Sequence, residues 1–113
     1  MTPIEQRDVR AGMLTVHTVD EGEARVIRLD GELDLANAGA LEEVLDEAFA
    51  NGSGRVIIDM SALAFIDSTG IALLVTALGR DPEAERLRFV PSAAPAVARV
   101  LKLTGVEERL PLA

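Results

Sequence analysis

The sequence predicts a single α/β domain: a mixed β-sheet of four or five strands with three main helices, in the order β-β-α-β-α-β-α. Three observations carry that prediction. Ile27, Leu29, Gly31 and Leu33 alternate with Arg28, Asp30, Glu32 and Asp34, the period of two expected of a strand with one buried and one wet face. The period then lengthens, with Leu41, Val44, Leu45, Ala48 and Phe49 falling on one face of a helix. Beyond that point, short apolar runs alternate with helical patterns, which implies right-handed β-α-β crossovers and parallel strand pairs.

Taken in order, Met1 to Gly12 has no periodicity and is expected to be a flexible N-terminal tail, leaving residues 13–113 as the domain. Leu14, Val16 and Thr18 alternate with Thr15, His17 and Val19 as a first strand. Asp20 to Glu23 supplies a turn, so this strand and the next form a hairpin. For the first helix, Asn37 is the expected N-cap, with Glu42 and Glu43 near the positive end of the dipole. Asn51 and Gly52 are the expected stop. Val56, Ile57 and Ile58 lie in Arg55–Met60, a short run apolar on both faces, as in a central buried strand. Ser61 to Ile66 connects it to Asp67-Ser68-Thr69-Gly70. Ile71, Leu74, Val75 and Leu78 then repeat at helical spacing up to Gly79. Arg80 to Glu85 reads as a charged loop and Leu87 to Val90 as another strand. Ser92 is placed to cap a last helix, with Pro95 in its first turn. Val97, Val100, Leu101 and Thr104 form that helix's inner face, and Gly105 suits its C′ position. Glu107 to Leu112 is a short tail able to add an edge strand.

Composition narrows the functional classes. A chain of 113 residues buries roughly two-thirds of its unfolded surface, enough for one core. With three Phe and no Tyr or Trp, that core must be built from Leu, Ile, Val and Ala. The formal net charge of −8 argues against nucleic acid, whose binding needs a basic face, and disfavours anionic membrane surfaces. It suits a basic protein partner, or simply solubility. The absence of Cys excludes disulfides, thiol nucleophiles and Cys-ligated zinc. Apolar runs fall far short of the ~20 residues of a membrane span. The first twelve residues lack the apolar stretch of a signal peptide. The expected compartment is the cytoplasm.

The segment Phe65 to Leu74 carries the chemistry. Two small hydroxyl residues, Ser68 and Thr69, sit where a strand has ended and a helix begins. Strand ends in α/β sheets are where ligands and partners bind. Free helix N–H groups and the helix dipole at such a point favour an added phosphate. On the residues alone, the plainer reading is that Asp67 or Ser68 is only an N-cap, worth about 1 kcal/mol. A catalytic Ser68 would need a nearby base. The single histidine, His17, lies on the first strand, and the Gly-x-Ser-x-Gly elbow is missing. No metal-binding, P-loop or dinucleotide motif is present, so no catalytic residue, metal or cofactor is expected. Asp30, Glu32 and Asp34 read as a wet strand face. Asp34, at that strand's end, comes near Ser68 if the two strands are neighbours.

Three stretches in register resemble the STAS domain family. Leu29-Asp30-Gly31-Glu32-Leu33-Asp34 resembles its second-strand signature. Val56-Ile57-Ile58-Asp59-Met60-Ser61 with Phe65-Ile66-Asp67-Ser68-Thr69-Gly70 is similar to its central strand and phosphorylation loop. Val97 to Val106 is similar to its last helix. The resemblance covers about residues 14–112 and implies a STAS-like fold. It further implies a free-standing anti-sigma factor antagonist, with Ser68 as phosphoacceptor and Asp34, Asp67, Ser68, Thr69 and Gly70 as the partner-binding set. The implied partners are an anti-sigma factor serine kinase with a Bergerat-type ATP fold and a PP2C-type phosphatase. The unphosphorylated form would bind the kinase and free the sigma factor, and phosphorylation would weaken that binding. The alternative within the family is an accessory subunit docking on the ATPase of a lipid-transport complex. Two features depart from the family's pattern: Ala72 stands where many relatives carry a second Gly, and Arg80 to Glu85 is shorter than the usual helix extension.

Overall fold

The structure, a computed structural model, describes residues 6–51 and 54–113. Five strands and three helices follow in the order β1 (Gln6–Ala11), β2 (Leu14–Glu21), β3 (Ala24–Leu33), α1 (Ala38–Ala50), β4 (Arg55–Ile66), α2 (Ser68–Gly79), β5 (Leu87–Val90) and α3 (Pro95–Leu103). The strands form one sheet in sequence order, β1-β2-β3-β4-β5. The β1/β2 and β2/β3 pairs are antiparallel, while β3/β4 and β4/β5 are parallel. The mixed sheet, the β2–β3 hairpin and the alternating second half agree with the sequence reading.

One core cluster joins a single face of the sheet to all three helices. Leu14, Val16, Ile27, Leu29, Ile58 and Phe89 contribute from the strands, and Leu41, Leu45, Leu74, Val97 and Leu101 from the helices. Ile57, Asp59, Arg28 and Thr15 alternate with these and point to the opposite face, half-buried or exposed. The run Val56-Ile57-Ile58 is thus sealed on one face rather than on both. In α2 the buried side is Gly70, Leu73, Leu74 and Ala77. Ile71, Val75 and Leu78 lie partly buried at its margin, because an almost uniformly apolar helix does not declare its inner face by periodicity.

Several local expectations are corrected. The tail expected through Gly12 is a strand from Gln6 to Ala11; its first five residues lie outside the described residues. This edge strand has almost no buried face to leave a pattern. Backbone pairing with β2 holds it, with the Arg7–Glu47 ion pair and the contact between His17 Nδ1 and Asp8 at 2.8 Å beside it. Second, β4 runs on to Ile66, through residues expected to be a connection. Register shifts against β3 interrupt its alternation, as bulges do. Third, Asn37 is the N-cap residue of α1 as expected, but its side chain makes no cap hydrogen bond and no acidic residue lies in the first turn. Fourth, Ala94 is the N-cap residue of α3. Ser92 Oγ instead accepts from Ala94 N–H at 3.0 Å and donates to the Leu63 carbonyl at 2.7 Å. Ser92 thereby satisfies a carbonyl of β4 beyond the four-residue reach of β5. The expected stop at Gly52 lies outside the described residues. The C-terminal segment forms a short 3₁₀ turn, Glu107–Arg109, and a single parallel bridge from Leu112 to Phe89 in place of an edge strand.

The loop from α2 to β5 is organised by one carboxylate. Asp81 accepts backbone N–H groups from Leu87 (2.7 Å), Arg86 (2.9 Å) and Glu85 (3.2 Å). Burial pushes its carboxyl upward, but those three donors and the nearby Arg88 outweigh it and hold the group below the usual carboxylate range. A folded value below the unfolded one contributes stability that is fully present above about pH 4. That contribution is lost as pH falls through the lowered folded value. Asp81→Asn is therefore expected to lower stability at neutral pH and to flatten the acid limb of the stability curve. Urea unfolding followed across the acid range checks this, and a variant curve parallel to that of the wild type would contradict it.

Candidate functional site

Adjacent parallel strands end together here: Leu33 of β3 pairs with Ile66 of β4. The chain leaves β3 into residues 34–37 and leaves β4 directly into α2. Asp34 and Asp67 are thus the first residues beyond neighbouring strand ends, and Asp67 N–H donates to the Leu33 carbonyl at 3.1 Å. The structure brings together all five residues singled out from the sequence, Asp34 with the run Asp67 to Gly70.

Asp67 is the N-cap of α2, in extended conformation. Its Oδ1 accepts from Gly70 N–H at 3.0 Å, and its Oδ2 accepts from Leu35 N–H at 3.2 Å. One carboxylate thus closes the helix mouth and holds the neighbouring loop. Asp34 Oδ1 accepts from Ala36 N–H at 3.0 Å, a local turn within that loop. The loop's other anchor is Asn37, only 1% exposed. Its Oδ1 accepts from Asp34 N–H at 2.9 Å and its Nδ2 donates to the Glu32 carbonyl at 2.9 Å. The positioning roles of Leu35 and Asn37 were missed from sequence. The signal available was their place next to Asp34, but it means something only once β3 and β4 are known to be neighbours.

Two glycines let these parts approach. A Cβ on Gly70 would lie 2.6 Å from Ile66 Cγ1 and 2.9 Å from Leu33 Cγ, so only Gly lets the first turn of α2 settle on the two strand ends. Gly31 has φ +115°, and a Cβ there would lie 2.1 Å from the Met13 carbonyl oxygen. It sits at a register shift between β3 and β4, and on its β2 side Glu32 N–H reaches the Met13 carbonyl at 2.9 Å.

Ser68 is the first residue of α2 and is exposed, while Thr69 is half-buried. Because Asp67 performs the capping, the Ser68 hydroxyl is not engaged as the cap. The opening N–H groups of a helix have no intrahelical acceptor. Together with the dipole they suit an anion placed on this hydroxyl. The single histidine does not stand beside Ser68. His17 pairs with Arg28, which pairs with Asp59, so His17 stands level with a point seven residues short of Ile66. At the rise of a strand that is roughly 20 Å away. Among the described residues, no cluster of His, Asp and Glu is arranged to hold a metal ion. Two clefts lie elsewhere, one of about 240 Å³ near Arg25, Arg55 and Arg86 and one of about 500 Å³ near Asp81 and Leu110. Ser68 lines neither and is itself exposed.

Residues 16–112 match a family model described as Mlab, STAS domain. The anti-sigma-F factor antagonist RsfB of Mycobacterium tuberculosis is 38% identical over 61 residues, 54% of this chain and 50% of that protein. The match thus spans about half the length of that relative. Among solved structures, an anti-sigma factor antagonist from Mycobacterium paratuberculosis superposes with a TM-score of 0.78 at 28% identity, covering 88% of this chain and 84% of that one. SpoIIAA in its unphosphorylated form, 24% identical with a TM-score of 0.67 over 88% of this chain and 87% of that one, shares the fold.

Two substitutions test the construction of the site. Asp67→Ala is expected to cost about 1–2 kcal/mol through the lost cap and to raise hydrogen exchange at the Leu35 amide, 32 residues away in sequence. Unchanged protection at Leu35 would show that the carboxylate does not hold the loop. Gly70→Ala is expected to destabilise by about 1–3 kcal/mol through overpacking, read as a lowered urea midpoint. A neutral result would mean that α2 shifts off the strand ends without penalty.

Proposed function

The chain belongs to the STAS domain family, and from that premise we propose that it is an anti-sigma factor antagonist switched by phosphorylation of Ser68. The observation that carries this reading is the exposed Ser68 hydroxyl at the first position of α2, beside Asp67 and next to the Asp34 loop. RsfB and the Mycobacterium paratuberculosis protein, both named as anti-sigma factor antagonists, support the same reading.

In the proposed cycle the unphosphorylated chain binds an anti-sigma factor serine kinase with a Bergerat-type ATP fold, and the sigma factor is released. Ser68 Oγ attacks the γ-phosphorus of the partner's ATP, ADP leaves, and the hydroxyl proton passes to a base on the partner. The chain supplies the acceptor and no catalytic group, and a PP2C-type phosphatase restores the hydroxyl. The added group brings about −1.5 to −2 charges. The helix mouth accommodates that charge. In the docked complex, beside Asp67 and Asp34, it is repelled and desolvated, so the complex weakens while the fold persists. Such a cycle belongs in the cytoplasm, and among the described residues no helix is long and apolar enough to cross a membrane.

Incubation with candidate kinases and ATP, followed by mass spectrometry, should place a phosphate on the peptide containing Ser68. In calorimetry, Ser68→Asp should bind the cognate kinase at least tenfold more weakly, about 1.4 kcal/mol, and Ser68→Ala should bind as wild type. Equal affinity of Ser68→Asp and wild type overturns the switch. That result, with no phosphate on Ser68, points instead to an accessory subunit docking on the ATPase of a lipid-transport complex, for which a charge at this hydroxyl has no regulatory meaning.

A further inference from the structure

The two edges of the sheet are unequal. The outer edge of β5 is covered by the C-terminal segment: Phe89 N–H donates to the Pro111 carbonyl at 2.8 Å, and Ala113 N–H donates to the Phe89 carbonyl at 2.9 Å. The outer edge of β1 has no partner among the described residues. Which of its backbone groups face outward follows from the adjoining turn. Gly12, at φ +56°, and Met13 join Ala11 to its partner Leu14, a two-residue connection that closes on a hydrogen-bonded pair. Bonded and open positions then alternate along an antiparallel strand. Ala11, Val9 and Arg7 therefore bond to β2, while Arg10, Asp8 and Gln6 turn their N–H and C=O groups outward. The turn from Glu21 to Ala24, built the same way around Gly22 at φ +62°, gives β2 the same parity from its other end. Side chains alternate as well. Asp8 points to the helix-free face, where it meets His17 at 2.8 Å, and Arg10 shares that face. Arg7 reaches Glu47 of α1 on the opposite face, and Val9 packs there against the core.

We propose that β1 pairs with β1 of a second copy of this chain, antiparallel about a two-fold axis through Val9. An open strand edge is a template for another strand, and the charges along β1 complement a second copy of themselves. Backbone parity admits only registers in which outward residues meet outward residues, so the axis must pass through a residue. Centred on Arg7, Asp8 or Arg10, it sets that residue against its own copy, like charge against like. Centred on Val9, it sets Asp8 opposite Arg10 twice on the helix-free face and Val9 opposite Val9 on the core face. Opposite charges across a strand pair stabilise it, and like charges directly opposite destabilise it. Charges on an edge ordinarily block pairing. The order Asp8-Val9-Arg10 blocks each register centred from Arg7 to Arg10 except this one. Because the edge of β5 is already taken, the pairing closes as a dimer and does not continue into a fibre. β1 runs in the same direction as β3 and β4, so the two-fold axis turns the two Ser68 ends away from each other.

The test is sedimentation of the full chain over a concentration series reaching roughly 1 mM, the weak end of protein association. Wild type should show a monomer–dimer equilibrium, and the Asp8 and Arg10 amides should gain hydrogen-exchange protection as concentration rises. Arg10→Asp and Asp8→Arg should each weaken pairing about tenfold or more, since each turns both charge pairs into like pairs. An equimolar mixture of those two variants should pair as wild type does, because every cation of one chain then faces an anion of the other. Arg10→Pro removes an outward N–H without touching the ladder to β2, and should abolish pairing with the thermal midpoint unchanged. Asp8→Arg also gives up the His17 contact; should it fail to fold, the two Arg10 variants decide. A chain that stays monomeric throughout the series overturns the proposal. So does a dimer that both Arg10 variants leave intact, because the contact then lies on another surface. A mixture of the two folded charge variants that stays monomeric overturns the register centred on Val9, and the proposal with it.

Discussion

The candidate site at the strand ends depends on one carboxylate taking two backbone N–H groups from elements far apart in sequence. Asp67 reaches Gly70 with one oxygen and Leu35 with the other. It can do so because β3 and β4 run parallel and finish at the same level. Parallel neighbours require a crossover, and α1 supplies it on the core side. A shift of one residue between β3 and β4 would turn Ile66 out of the core and carry Asp67 away from Leu35. The apolar packing of Leu33 and Ile66, both essentially buried, is therefore what sets the geometry of the polar site above them.

Close approach is the second condition, and glycine meets it twice in different ways. Gly70 is a question of space, since the side chains of Ile66 and Leu33 occupy the volume where a Cβ would be. Gly31 is a question of both backbone and space: its φ of +115° is a conformation that L side chains rarely adopt, and the Met13 carbonyl crowds the same point. The Leu-Asp-Gly-Glu-Leu-Asp stretch is thus a strand that must bend through a register shift before delivering Asp34 to the site.

Much of this was legible in the sequence. The period-two pattern from Ile27 to Leu33 and the helical repeat from Leu41 to Phe49 each reflect one buried face, and both elements form as read. Asp67 to Gly70 declared a strand-to-helix junction through residue types suited to a cap, a hydroxyl and a close contact. What stayed hidden lacks a buried face or depends on distant partners. β1 is an edge strand held by backbone pairing, so its side chains carry no alternation. The second half of β4 loses its period at the register shifts. Asn37 reads as an N-cap by type, yet its amide turns back to Glu32 and Asp34, a choice that only the folded loop defines. Leu35 looks like an ordinary loop residue until strand order puts it against Asp67.

The division of labour between Asp67 and Ser68 bears on why such a site suits reversible modification. A serine acting as N-cap accepts a backbone N–H of the helix on its oxygen, and phosphorylating it would disturb a cap worth about 0.5–2 kcal/mol. Here the aspartate caps and the serine occupies the next position, so the charge state of that hydroxyl is largely separated from the stability of the fold. In the free chain a phosphate on Ser68 gains about 0.3–1 kcal/mol from the helix dipole. It loses a similar amount to Asp67, since unit charges about 4 Å apart interact by about 1 kcal/mol in water. Covering the site with a partner removes that solvent. At an effective dielectric near 20 the same pair of charges interacts by about 4 kcal/mol. Under the proposed switch, one modification would then cost little in the free chain and more in the complex, which is the asymmetry such a switch requires.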